Sequence, residues 1–112
     1  MKDGAAETAL FETLDGERSR VTGTLGFKTV THLLTVGAAA IEQGRAAVID
    51  LSAVTGSDSS GLALLIEWLS VARAAGRTLR YENIPIQLHQ LARLSDVDPL
   101  LFGAAPAAAV TA

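Results

Sequence analysis

The sequence predicts an α/β fold, in which a small, mixed and mostly parallel β-sheet of about four strands packs with three to four helices. Strand-like and helix-like apolar patterns follow one another in the order β-β-α-β-α-β-α. Residues 46–51, "AAVIDL", form a short apolar run typical of a central strand covered on both faces. The chain has 112 residues, of which 49% are hydrophobic, and this favours one domain with a single core.

The first two strands are predicted to flank a turn at Asp15 and Gly16. In the second of them, Val21, Gly23 and Leu25 alternate with polar residues, which is the period of a strand with one buried face. This hairpin is antiparallel, whereas the β-α-β-α-β portion that follows needs crossover connections. Its strands are therefore predicted to be parallel.

Two long helices are predicted, one before and one after the central strand in the chain. Residues 28–43 carry apolar side chains at spacings of three and four, and Gly44 suits the position just after the helix. Residues 59–75 form the second helix, which Gly76 ends.

The last strand and helix are predicted within residues 77–94. Residues 77–83 are predicted to be a strand with Leu79 and Tyr81 on one face, and Pro85 suits the first turn of a helix that runs to about residue 94. The apolar set of that helix is Ile84, Leu88, Leu91, Ala92 and Leu94. We expect one domain over residues 8–102, with flexible ends at 1–7 and in the Ala-rich tail 103–112.

Composition argues against several classes of function. The chain has 9 basic and 12 acidic residues, a net charge of −3, and no basic run, so neither nucleic acid nor an anionic membrane is the expected main partner. Cysteine is absent, which excludes disulfides and thiolate metal sites. No stretch approaches the ~18 apolar residues of a membrane span, and the N-terminus lacks the apolar region of a signal peptide. We therefore expect a soluble protein that does not insert into a membrane, and the absence of cysteine is compatible with the cytoplasm.

The segment "GSDSSG", residues 56–61, is the most informative local pattern because it directly precedes a leucine-rich helix. Ser57, Asp58, Ser59 and Ser60 all have short side chains able to cap a helix N-terminus. That end of a helix also favours anions, so a phosphate on Ser59 would be stabilised there. A catalytic serine needs a base and an orienting group, and the two histidines lie inside helical patterns without a nucleophile signature.

No cofactor or enzymatic activity is expected from the remaining motifs. The glycines lack the spacing of a phosphate-binding or dinucleotide-binding loop. His32 and His89 are too sparse for a metal site and are expected at half-exposed helix positions.

The apolar arc of the second long helix is wider than the roughly 100° that a surface helix needs. Leu64, Trp68 and Val71 extend it beyond the stripe that faces the core. Either neighbouring elements cover these side chains, or they form an exposed patch that binds another protein.

Two linked motifs resemble the signature of the STAS domain family. The first is a strand ending in Ile49-Asp50-Leu51-Ser52, and the second is Asp58-Ser59-Ser60-Gly61-Leu62 at a helix start. The resemblance covers about residues 8–102. It implies a STAS-type fold, a small sheet surrounded by helices, without enzyme chemistry of its own.

Within this family the resemblance implies one of two roles. Anti-sigma factor antagonists are phosphorylated on the serine after the motif aspartate, here Ser59. MlaB-type STAS domains are small subunits of an ABC phospholipid transporter that maintains outer-membrane lipid asymmetry, and they bind its ATPase. The stretch "VTGTLGFKTVTHLL", residues 21–34, is similar to the MlaB-type pattern and lacks the acidic residues common in antagonists.

The MlaB-type resemblance implies that the chain binds the ATPase, and through it the inner-membrane permease, on the cytoplasmic side of the inner membrane. The residues expected to contact or regulate the partner are Thr55, Asp58, Ser59, Ser60, Gly61, Leu64 and Trp68.

Overall fold

A computed structural model describes residues 8–95, and the predicted order of elements is confirmed in it. The strands are β1 (Ala9–Thr13), β2 (Arg18–Leu25), β3 (Val48–Ser57) and β4 (Arg80–Glu82), and the helices are α1 (Val30–Glu42), α2 (Ser59–Ala74) and α3 (Ile86–Leu94). The predicted flexible ends at 1–7 and 103–112, and the end of the domain at 96–102, lie outside the described residues.

The four strands form one mixed sheet in the order β1-β2-β3-β4. The hairpin pair β1 and β2 is antiparallel, whereas β3 runs parallel to both β2 and β4. The chain reverses between β1 and β2 through Gly16 and Glu17, both with positive φ. The mixed, mostly parallel sheet is thus as predicted, because the strands after the hairpin are joined by helical crossovers.

One face of the sheet packs in the core, and the other carries charged side chains. Val21 and Leu25 of β2 and Ile49 and Leu51 of β3 are buried. The opposite face of the sheet carries two ion-paired groups, Arg18 with Glu82 and Arg20 with Glu12. The prediction that the central strand is covered on both faces is therefore wrong, since Val48 and Asp50 are only half-buried.

Helices α1 and α2 contact each other closely because α1 has a glycine where they meet. A Cβ atom on Gly37 would lie 2.5 Å from Cε2 and from Nε1 of Trp68. The indole N–H donates a hydrogen bond to the carbonyl of Leu34 at 3.4 Å, and the ring of Phe11 in β1 meets the indole edge-on at 5.6 Å between centroids. Trp68 of α2 therefore packs against both α1 and β1.

The helix ends differ slightly from those predicted. Helix α1 begins at Val30 rather than residue 28, because the hydroxyl of Thr29 accepts a hydrogen bond from the amide of Gly26 at 3.0 Å and holds a turn there. Gly44 and Gly76 follow α1 and α2 with φ of +77° and +69°, which confirms both predicted stops.

The last two elements are shorter than predicted. Strand β4 has 3 residues because only Arg80–Glu82 pair with β3. Pro85 is the N-cap of α3 rather than part of its first turn. Of the apolar set predicted for this helix, Leu88 and Ala92 are buried, whereas Leu94 is 85% exposed.

Candidate functional site

The site predicted around Ser59 lies where β3 leads directly into α2. The sequence predicts a central strand at residues 46–51 and a helix from residue 59. The helix start is confirmed, but the predicted end of the strand is wrong because β3 continues to Ser57. Thr24 and Leu25 of β2 pair with Gly56 and Ser57 and extend the strand. Only Asp58 separates the two elements, and its amide donates to the carbonyl of Leu25 at 3.1 Å. We call Ser57, Asp58, Ser59 and Ser60 the β3–α2 corner.

Asp58 is the residue that caps α2. Its backbone is extended, and its Oδ1 accepts a hydrogen bond from the amide of Ser60 at 2.8 Å. Ser59 is therefore the first residue of the helix rather than its cap, and it is exposed. Asp58 is exposed and Ser60 half-buried, so the corner presents a carboxylate and a hydroxyl at the positive end of a helix.

Gly61 lies beneath this corner and is buried. A Cβ atom at this position would collide with the hydroxyl of Ser57 and would lie 2.9 Å from Cβ of Leu25. Gly61 therefore lets α2 approach the end of β2 and shapes the corner from below, whereas the sequence placed it among the partner contacts.

Two side-chain interactions tie neighbouring elements to the corner. Oε1 of Gln87, in the first turn of α3, accepts a hydrogen bond from the amide of Ser57 at 3.1 Å. Thr55 is exposed, and its hydroxyl lies 3.4 Å from that of Thr24 on the neighbouring strand. Sequence reasoning missed Gln87, although its place just after a strand parallel to β3 was a usable signal.

Leu64 and Trp68 do not form the exposed patch that was one of the two interpretations of α2. Leu64 is 3% exposed and Trp68 is 0% exposed, while Val71 is half-buried. Their prediction as partner contacts is therefore wrong, and the alternative, that neighbouring elements cover the wide apolar arc, is confirmed. Gly37 is the reason, because it lets α1 close over the indole.

The two aspartates of the motif have different roles. Asp50 lies half-buried in β3, where its carboxylate accepts hydrogen bonds from the side-chain amide of Asn83 and from the backbone N–H of Ser52, each at 2.9 Å. These bonds, that from Asn83 foremost, lower the pKa of Asp50 below its usual range. Asp50 thus links β3 to the residue after β4, whereas Asp58 starts α2.

Glu82 is the second carboxyl group with a shifted pKa on this face. The hydrogen bond from Arg18 lowers the pKa of Glu82, and Arg80, which donates at 2.9 Å, adds to the effect. These ion pairs connect β2 with β4 across β3.

The described part of the chain holds no group of three or more His, Asp or Glu residues able to bind a metal ion. His32 is exposed on α1, and His89 is half-buried on α3. None of the helices within residues 8–95 is long and apolar enough to cross a membrane.

A family model described as "Mlab, STAS domain" matches residues 12–102. Among solved structures, the chain is similar to the Bacillus cell fate determinant SpoIIAA in its phosphorylated form, with 19% identity, a TM-score of 0.63, and coverage of 85% of this chain and 89% of that one. The unphosphorylated anti-sigma factor antagonist SpoIIAA is also similar, at 19% identity and a TM-score of 0.60, covering 77% and 82% of the two chains. These likenesses show a STAS-like fold. No curated protein matches the chain.

Proposed function

The chain belongs to the family of MlaB-type STAS domains, and from this membership we propose that it is a non-catalytic subunit that binds and regulates the ATPase of an ABC phospholipid transporter. The observation that carries the proposal is the match over residues 12–102, which includes the β3–α2 corner and every element from β2 to α3. The transporter would maintain the lipid asymmetry of the outer membrane.

The geometry of the corner supports its use as a partner surface. Asp58 and Ser59 are exposed at the start of a helix, and the backbone beneath them is held by hydrogen bonds to β2 and α3. A surface held in this way loses little conformational freedom on binding, which favours affinity. Ser59, Ser60 and Thr55 would supply hydroxyl groups for hydrogen bonds to the ATPase.

The ATPase would bind and hydrolyse the nucleotide, and this chain would act through conformation. A subunit that binds the active state of the ATPase more tightly than the inactive state shifts the population toward activity. Each tenfold preference for the active state is worth about 1.4 kcal/mol. In this proposal the chain stays in the cytoplasm, reaches the inner-membrane permease only through the ATPase, and touches neither lipid nor nucleic acid.

Affinity capture tests the proposal directly. The tagged chain, expressed in its own cells, is purified with its partners, which are identified by mass spectrometry. We expect an ABC ATPase together with an inner-membrane permease, and we expect the added chain to raise the hydrolysis rate of the purified ATPase. Capture of a sigma-regulating kinase without any ABC subunit would overturn the proposal.

The second candidate function is that of an anti-sigma factor antagonist phosphorylated on Ser59. It is favoured by the exposure of Ser59 at the first position of α2, where the helix dipole stabilises a phosphate. The similarity to phosphorylated SpoIIAA agrees with it. Phosphopeptide mapping of the chain isolated from cells tests this function, which requires phosphate on Ser59.

A further inference from the structure

Two exposed apolar side chains lie beside the β3–α2 corner. The partner residues predicted from the sequence include no exposed apolar side chain, since Leu64 and Trp68 are buried. Phe27 is 81% exposed in the connection between β2 and α1, and Ile86 is 71% exposed at the start of α3. A single exposed apolar side chain is ordinary on a protein surface, so what matters for these two is their position beside the corner.

The sheet topology places these two residues on opposite sides of the corner. Strand β3 lies between β2 and β4, and the three strands are parallel. Phe27 follows β2, which pairs with β3 up to Leu25, and Ile86 precedes Gln87, which is hydrogen-bonded to Ser57. Ser59 therefore lies between an exposed aromatic and an exposed aliphatic side chain.

The apolar surface on the Phe27 side continues toward the corner. An open groove of about 340 Å³ runs between α1 and α2. Its lining is mostly apolar, with Val30, Leu34, Ala63 and Leu64, and also includes Thr31, Ser60 and Glu67. The groove thus begins at Val30, three residues after Phe27, and reaches the first turn of α2 at Ser60.

The electrostatics of this edge favour hydrogen-bond acceptors and negative charge on the partner. All three helices begin here, and none has an acidic residue in its first turn. Each helix N-terminus is equivalent to roughly half a positive charge. Lys28 adds a full charge next to Phe27, while the carboxylate of Asp58 already caps α2.

We propose that Phe27 and Ile86 are the apolar anchors of the partner surface, on either side of Ser59. They bind in two apolar recesses of the partner, and the partner segment between these recesses is rich in carboxylates or backbone carbonyls. This inference rests on the proposed function, which makes the partner an ABC ATPase. A second copy of this chain is disfavoured as the occupant, because two such edges face to face would bring like helix ends together.

Binding of the purified ATPase by single-residue variants tests the inference. We expect Phe27→Ala and Ile86→Ala each to weaken the affinity at least tenfold, as truncation of a buried interface anchor does. Leu94→Ala and Leu10→Ala are the matched controls, since these leucines are 85% and 52% exposed but lie away from the corner. Their affinities should stay within about twofold of the original chain.

A photo-cross-linking residue placed at position 27, 86 or 94 gives a second readout that does not depend on affinity. Cross-links to the ATPase from positions 27 and 86, and none from 94, support the inference. If the original chain binds the ATPase but neither alanine variant weakens binding and neither position cross-links, the inference is wrong and the proposed function stands. If the original chain does not bind the ATPase, or cross-links only to a second copy, the inference is overturned as well.

Discussion

Removal of the cap at the start of α2 separates the structural role of Asp58 from the partner role proposed for Ser59. In Asp58→Ala the 2.8 Å hydrogen bond from the amide of Ser60 is lost, together with a negative charge at the helix N-terminus. Loss of such a cap costs about 0.5–2 kcal/mol, and loss of the charge about 0.3–1 kcal/mol at an exposed site. The two figures overlap because capping measurements include part of the charge effect, so we expect a total of about 1–2 kcal/mol.

Ser59→Ala is the matched comparison, because its hydroxyl does not cap the helix. The residue is exposed in the first turn, and alanine favours helix, so the free energy of unfolding should change by less than about 0.5 kcal/mol. Asp58→Asn should keep most of the stability, since its side-chain oxygen can accept the same hydrogen bond.

Urea unfolding followed by circular dichroism measures all three variants against the original chain. A loss of about 1 kcal/mol would also lower the melting temperature by roughly 4–8 °C in a domain of this size. If Ser59→Ala destabilises the protein as much as Asp58→Ala, or if Asp58→Asn gives no rescue, the assignment of the cap is wrong.

Three further predictions concern the core, the site and the pH dependence of stability. Gly37→Ala should lower the urea midpoint, because a Cβ atom within 2.5 Å of the indole of Trp68 destabilises the fold by about 1–3 kcal/mol. The opposing gain in helix propensity is only about 1 kcal/mol. A higher midpoint would contradict this packing. The Ser59→Asp variant should have the melting temperature of the original chain but bind the ATPase poorly in a pull-down, because its added charge must be desolvated in the interface. Equal binding would show that Ser59 is not part of the site. Asp50 and Glu82 have pKa values below those of the unfolded chain, so their contribution to stability is present above about pH 4 and lost as the pH falls below it. The urea midpoint should therefore fall between pH 6 and pH 3, and fall less in Asp50→Asn; an equal fall in both would refute the role of Asp50.

The sequence predicted where the candidate site lies, but not which residue caps the helix there or which apolar side chains lie beside it. A hydroxyl-rich segment between a strand and a leucine-rich helix located the corner, because short polar side chains directly before an apolar periodic run mark the start of a helix. Which of Asp58 and Ser59 accepts the capping bond depends on the backbone angles at the strand end, and the segment alone does not distinguish them. The anchors proposed here, Phe27 and Ile86, lie far apart in the chain, and only the order of the strands brings them to opposite sides of the same corner.

The order of the elements and the glycine stops after the two long helices followed from the sequence by itself. Apolar periodicity sets strand or helix locally, and Gly44 and Gly76 end the helices through a backbone conformation that other residues rarely adopt. Only the tertiary structure decided which apolar side chains are buried. The wide apolar arc of α2 was compatible with an exposed Trp68, but α1 closes over the indole at Gly37. Burial is a property of the neighbours that a side chain meets, and those neighbours come from distant parts of the chain.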